Sequence, residues 1–429
     1  MQLFFATTLL LSATLLFVVE PMFAKKVLPL LGGSPSVWNT CLVFYQGALL
    51  AGYVYAHLSL KWLGPRRQAM LHVGLLCLPW LVMALPTNVP PLGVPLDWTP
   101  PRDQNPVPWL WLLLTVRLGL PFLIVSATAP MLQAWFADTG HRAAKDPYFL
   151  YAASNLGSMI GLAAYPLVIE PRLTLSEQSW WWAGGYGVLM ALVTGCAMVL
   201  WMSRRPAVAA SGTAPELIKP HFEDDGTAGK LETCPTARDV GQVSNLPSET
   251  PPTLLRRLRW LALALVPSSL LLGVTTHIST DIASVPLLWA IPLALYLLSF
   301  VLVFAQWSWW IAGAEAVLPV LTRLTRTRAV LAAIFGGGMA GIQAVLLALT
   351  GGVFFLSGIW SSDITESAML HLAAFFATAM VCHGALAADR PSSRYLTEFS
   401  CGCRWAEWWA ASSMPWWPRS CSTACWSTR

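Results

Sequence analysis

Charge is scarce in this chain. Asp, Glu, Lys and Arg make up 11% of its 429 residues while 56% are hydrophobic, and the charged share is about half that usual in soluble domains. So little charge cannot clothe a soluble protein of this size. Polar stretches are equally rare. The one long polar segment has neither periodicity nor clustered acids, His or Cys, so no soluble catalytic unit and no catalytic residue is expected. Cysteine is sparse too, at nine residues. Cys41, Cys77, Cys196 and Cys382 fall inside apolar runs, where a lone cysteine packs as a small apolar residue. Cys234 lies in the polar segment. Cys401, Cys403, Cys421 and Cys425 have CxC and CxxxC spacings that fit common zinc motifs poorly. Gly336, Gly338 and Gly341 match the glycine spacing of dinucleotide loops, but no strand precedes them and they read as helix packing. No metal and no cofactor is expected.

What the chain has is long apolar runs. Ten can be drawn, at residues 3–19, 37–60, 69–85, 109–136, 149–169, 181–202, 258–276, 285–305, 330–357 and 364–386. About 20 apolar residues cross the hydrocarbon core of a bilayer. The expected fold class is therefore all-α, a polytopic membrane helix bundle of about ten transmembrane helices. The net charge of +5 is distributed as orientation signals rather than as a nucleic-acid surface. Lys61, Arg66 and Arg67 follow span two, and Arg142 and Lys145 follow span four. Arg204, Arg205, Arg256, Arg257 and Arg259 bracket the gap after span six; Arg323, Arg326 and Arg328 follow span eight, and Arg390 and Arg394 follow span ten. Odd gaps are poor in Lys and Arg except for Lys25 and Lys26. The positive-inside rule makes the even gaps and the amino terminus cytoplasmic, with a bacterial inner membrane as the expected location. Span one has no basic residue before it and reads as a retained anchor rather than a signal peptide.

Residues 203–257 are rich in Pro, Ser, Thr, Gly and charge, too polar to offset the entropy of ordering. The expected organisation is a six-span bundle over 1–202, a disordered cytoplasmic linker over 203–257 and an incomplete four-span bundle over 258–399. Six spans, a long cytoplasmic loop and a second bundle form the layout of major facilitator transporters. From Ser400 the chain reads SCGCRWAEWWAASSMPWWPRSCSTACWSTR, with six Trp and four Cys, and no span is drawn there. Decoding from the third base of each codon with GC-favoured choices gives an apolar run, LWMSVGGVVGGLFN onward. Residues 400–429 are therefore expected to be an out-of-frame tail, shifted near Phe399–Ser400.

Polar groups inside a bilayer are costly and each needs a reason. Glu20 is followed by Pro21, which favours a break whose freed carbonyls help form a polar site; alternatively Glu20 pairs with Lys25 or Lys26 at the interface. His277 and Asp281 are four apart and share a helix face, a pairing suited to proton relay or to holding a cation. Thr275, Thr276, Ser279 and Thr280 surround them. Arg117 either faces an internal acid such as Glu20 or snorkels to the interface. His383 reads as a cytoplasmic boundary residue. Asn155, among Ser154, Gly157, Ser158 and Gly161, is expected to hydrogen-bond a neighbouring helix at close-packing spacing.

Four stretches, VEPMFAKKVLPLLGGSPSVWNTCLVFYQGALLAGYVYAH, DPYFLYAASNLGSMIGLAAYPLVIEP, LLLGVTTHISTDIASVPLLWAIPLALYLLSFVL and VCHGALAADRPSSRYLTEF, resemble the bacterial fused membrane–spermidine-synthase-like proteins. The resemblance covers nearly all of residues 3–399 except the linker. It implies a major-facilitator-like membrane module followed by a cytoplasmic domain similar to aminopropyltransferases. The donor-binding glycine loop and amine-holding acids of such a domain have no counterpart in residues 1–429, so no catalytic residue carries over. Glu20, Asn155, His277, Asp281 and His383 fall in the matched runs without an implied role. The expected function is a transporter-like module for a small, polyamine-like cationic metabolite. The alternatives are an anchor for a downstream aminopropyltransferase-like domain or an inactive frameshifted fragment. The expected partner is the lipid bilayer, with no nucleic acid.

Overall fold

The computed structural model describes residues 1–31, 35–84, 90–95, 98–101, 105–145, 147–203, 251–278, 290–304, 364–392 and 395–413. Every regular element among them is helical. Helix α1 is Gln2–Leu31 and α2 is Pro35–Ala84. Helix α3 runs over Val107–Ala137, α4 over Phe149–Arg172 and α5 over Leu175–Met202. The second half contributes α6 (Leu254–His277), α7 (Ala290–Phe304), α8 (Ile364–Ala388) and α9 (Leu396–Ser413). Seven helices among the described residues are long and apolar enough to cross a membrane, and α7 is shorter and equally apolar.

Spans two and three form one helix by hydrogen bonding, but Gly64 breaks it, with φ 72° and ψ 168°. Glycine alone occupies that region without a Cβ penalty, so α2 folds into two limbs and six crossings precede the polar segment. Residues 204–250 of the expected linker, the ninth span at 330–357 with its three glycines, and Asp281, Cys234, Cys421 and Cys425 lie outside the described residues.

One expectation is corrected. Helix α1 does not break after Glu20; it continues through Pro21 and Pro29 to Leu31, because a packed bundle re-satisfies the backbone groups that proline frees. A helix also runs across Phe399–Ser400, where no span was drawn, and it is not among the helices apolar enough to cross a membrane. In α9 the buried Phe399, Cys403, Ala406 and Ala410 recur every three or four residues, which gives the helix an apolar face seated against α6 and α2.

Proline acts elsewhere by widening turns. Thr115–Gly119 in α3 and Tyr165–Ile169 in α4 are π turns, each ending two residues before a proline, Pro121 and Pro171. A proline ring clashes with the carbonyl four residues back, here that of Arg117 and that of Leu167.

The first bundle packs α1 against α3, α4 and α5, and α2 against α3 and α5. Its core is built from Phe5, Met22, Phe23, Phe122, Trp135 and Tyr186. Gly157 and Gly161 bring α4 onto the α1 backbone: a Cβ at Gly157 would lie 2.2 Å from the Leu10 carbonyl oxygen. Thr14 donates to the Gly157 carbonyl at 2.9 Å. The close-packing spacing read from the sequence does what was expected of it. The second half joins the first through α4 against α7 and α2 against α9.

Hydrogen bonds sort the ends of the bundle. At one end Arg66 donates to the Ser203 carbonyl at 2.7 Å, Arg256 pairs with Asp389 at 2.9 Å and Arg390 covers the Tyr148 ring at 5.4 Å. These contacts join the gaps after spans two, four, six and ten. At the other end Lys25 pairs with Glu170, and Lys26 reaches Ser179 and the Leu92 carbonyl. Among the described residues, the gaps after spans two, four, six and ten therefore share one end, and those after spans one, three and five the other.

Candidate functional site

Charged and polar side chains from both halves converge on the seam between them. Glu20 of α1 is half-buried. The Tyr45 hydroxyl of α2 donates to the Glu20 carbonyl at 3.1 Å and hydrogen-bonds Cys41. Across the seam, Arg404 of α9 lies close enough to Glu20 for their charges to interact. Its guanidinium covers the Tyr53 ring at 5.2 Å and pairs with Glu407 one turn further along. Glu407 is 9% exposed and accepts from the Tyr296 hydroxyl at 3.0 Å, and Tyr296 in turn meets Ser268 at 3.2 Å. The chain Arg404–Glu407–Tyr296–Ser268 thus runs from α9 to α7 and α6.

Next to it His383 is fully buried. Its Nδ1 lies 2.7 Å from Ser299 Oγ, its ring stacks on Phe300 at 3.8 Å and meets the edge of Tyr296 at 5.0 Å. Its Nε2 has no hydrogen-bond partner. Buried charge pairs contribute little net stability once desolvation is counted. Ionisable groups at membrane depth are costly enough to make such a seam a site candidate in its own right.

Several sequence expectations change place. His383 is a core residue between α7 and α8 rather than a boundary residue, because Phe300, Tyr296 and Ser299 enclose it. Neither lysine pairs with Glu20, since Glu170 takes Lys25 and Ser179 with Leu92 takes Lys26. Among the described residues Arg117, on the π turn of α3, makes no ion pair with Glu20. The Asn155 amide donates to the Tyr151 carbonyl of its own helix at 2.8 Å and not to a neighbour. His277 lies at the end of α6 with its ring 4.8 Å from that of His371 on α8; Asp281 is outside the described residues.

Reading residue by residue missed Tyr296, His371, Arg404 and Glu407. His371 was detectable as a histidine inside span ten. Arg404 and Glu407 were set aside with the tail, although their i, i+3 spacing on an apolar period was visible. A second buried network also escaped notice: Gln68 bonds the Trp135 indole at 3.0 Å and the Ala56 carbonyl at 2.8 Å, and His72 meets Thr128 at 3.2 Å. These groups cross-link α2 and α3 rather than line the seam.

No family model matches the chain, and no curated protein matches it. Solved structures do. A double-Trp mutant of XylE is similar at 14% identity and a TM-score of 0.46, covering 96% of this chain and 86% of the other. The major facilitator proton:xylose symporter XylE bound to 6-bromo-6-deoxy-D-glucose gives 12% and 0.46 over 96% and 88%. XylE from E. coli in a partially occluded inward-open conformation gives 13% and 0.43 over 96% and 91%. A likeness this weak decides neither family nor substrate. The chain is a multi-pass helical membrane protein on its own helices, and its seam is read from its own residues.

Proposed function

We propose that this chain is the membrane module of a transporter-like protein with a major-facilitator-like layout. It moves a small cationic metabolite of polyamine type, sits in a bacterial inner membrane and keeps its amino terminus in the cytoplasm. One observation carries the reading: at the seam between the halves Arg404 pairs with Glu407, and its charge acts on Glu20 of the other half. A substrate amine offers the same charge and hydrogen bonds as Arg404 and competes with it for the two carboxylates. Exchange of one cation for the other couples occupancy of the seam to the contact between the halves, which is the differential binding that a two-state carrier needs. Tyr45, Tyr53 and Tyr296 supply rings and hydroxyls suited to an alkyl amine.

The test is uptake of labelled putrescine and spermidine by proteoliposomes, with thermal stabilisation of the purified protein as the binding readout. Glu20→Gln should abolish both responses while leaving ligand-free melting nearly unchanged. Uptake and stabilisation equal to wild type in that variant would rule the reading out.

A second reading is favoured by the apolar run obtained from residues 400–429 in the shifted frame and by the spermidine-synthase-like stretches. In it the bundle anchors a downstream aminopropyltransferase-like domain, and Arg404 and Glu407 give way to the restored frame. Genomic sequencing across codons 395–430 decides this. A single restored base followed by an enzyme-like frame supports it, and an unchanged read removes it.

A further inference from the structure

The ends of α6 and α8 remote from the Arg256–Asp389 pair carry two histidines that take no part in the seam. The sequence sets His277 beside Asp281, four residues on. The fold sets it beside His371 of another helix. Their imidazole rings lie 4.8 Å apart between centroids, with the planes 42° from each other.

Helix geometry explains the meeting. Helices α6 and α8 pack against each other, and Arg256 near the start of α6 pairs with Asp389 just past the end of α8. The two helices are therefore antiparallel. His277 lies about 32 Å and His371 about 27 Å along their axes from that pair. The two paths agree to within one helical turn, so both side chains arrive at the same level. Packing holds them there. Val274, one turn before His277, is buried in the same apolar cluster as Ile278 and Phe375, the last one turn after His371. The histidines themselves are half-buried. Their backbones are anchored in the core while the rings keep access to solvent.

The separation suits a shared metal ion. Neutral imidazole is the commonest protein ligand for transition metals. Two imidazoles on one ion, with bonds of about 2.1 Å, put their centroids about 4.5 Å apart at a right angle and about 5.2 Å apart at a tetrahedral one. The 4.8 Å observed falls between these limits. A metal-bound imidazole uses one nitrogen for the ion and keeps the other for the hydrogen bond that orients its ring. Among the described residues no third His, Cys, Asp or Glu joins the two in a cluster, so the two imidazoles alone define the site. Nitrogen ligands of this kind select Zn²⁺ or Cu²⁺ over Mg²⁺ and Ca²⁺, which seek oxygen.

We propose that His277 and His371 form a binding site for a divalent transition-metal ion, Zn²⁺ or Cu²⁺, which when bound ties the end of α6 to the first turns of α8. His371 is about 18 Å along α8 from His383. The site is separate from the seam and does not depend on the transport reading.

The experiment measures melting of the full-length protein in detergent over a series of Zn²⁺ concentrations, with Mg²⁺ as the reference. Wild type should be stabilised by Zn²⁺, lose that stabilisation on adding EDTA, and ignore Mg²⁺. His277→Gln and His371→Gln should each raise the Zn²⁺ concentration for half-maximal stabilisation about tenfold or more, since a lost ligand costs at least as much as a lost outer partner. His141→Gln, at the basic end, should behave as wild type. Electron paramagnetic resonance with one equivalent of Cu²⁺ counts the ligands independently of melting: two nitrogens in wild type and one in either variant. A wild type indifferent to Zn²⁺ would overturn the proposal. So would a Zn²⁺ response or a two-nitrogen Cu²⁺ spectrum that survives either substitution, because the pair would then be an aromatic contact only.

Discussion

Gly157 of α4 lies against Leu10 of α1 so closely that a Cβ would come within 2.2 Å of the Leu10 carbonyl oxygen and 2.9 Å of its Cα. The obstacle is backbone, which cannot swing aside as a side chain does. Gly184 of α5 is also helical but meets nothing within 4 Å.

The two glycines therefore predict opposite outcomes for one substitution. Gly157→Ala forces α1 and α4 apart and should cost about 1–3 kcal/mol, the usual range for overpacking. Gly184→Ala adds only helix propensity and should be neutral or stabilising by up to about 1 kcal/mol. Melting temperatures of the detergent-solubilised protein followed by size-exclusion chromatography read both. Equal shifts for the two variants would refute the close approach of α4 to α1.

A second prediction concerns the basic end. Arg256 pairs with Asp389 at 2.9 Å, also donates to the Asp389 carbonyl and lies over Trp260. The pair is partly exposed, at 26% and 20%, so its Coulomb part is screened and worth up to about 1 kcal/mol. Asp389→Asn keeps a carbonyl for the Trp260 indole and should cost no more than that, with the loss shrinking at high salt. Arg256→Ala also removes the backbone bond and the ring contact and should cost more, with less salt dependence. The two variants melted at low and high salt test the difference.

The sequence made the architecture readable because bilayer thickness constrains every crossing in the same way: an apolar run of the right length admits one interpretation. Hence an all-helical bundle with helices long and apolar enough to cross a membrane follows the reading closely. Gly157 and Gly161 were legible because close packing needs small residues at fixed spacing. Partners were much less legible. Lys25 and Lys26 lie within two turns of Glu20 in sequence, yet a helix turns successive side chains by about 100°, and their partners came from α5, the end of α4 and a loop. His383 looked like a boundary residue because Asp389 and Arg390 follow it, but its environment is set by Tyr296, Ser299 and Phe300 on another helix. Composition hid α9, since its Trp and Cys content obscured an apolar period with charges one turn apart.

A third prediction orients the bundle. Arg67 and Arg172 are both exposed and lie in different gaps, the second and the fifth. With the native cysteines replaced, Arg67→Cys should react with an impermeant maleimide only when the cytoplasmic face is open. Arg172→Cys should react from outside in intact spheroplasts. The reverse pattern would place the basic end outside and invert the proposed topology, and labelling of both from one side would contradict the alternation of gaps itself.

The last prediction concerns the Ser299–His383 pair, and a double-mutant cycle separates hydrogen bonding from packing there. Ser299 and His383 are both fully buried, and the 2.7 Å contact joins α7 to α8. Since Nε2 already lacks a partner, Ser299→Ala leaves the whole imidazole unbonded, at a cost of about 1–3 kcal/mol. His383→Phe keeps the stack on Phe300 and removes the polar atoms, while Ser299 still donates to the Tyr296 carbonyl at 2.6 Å. That variant should therefore lose less than Ser299→Ala. In the double variant no imidazole remains to be stranded, so its loss should fall short of the sum of the singles by about 1 kcal/mol or more. Strict additivity in thermal melting would mean that the contact contributes nothing and that His383 is held by its aromatic neighbours alone.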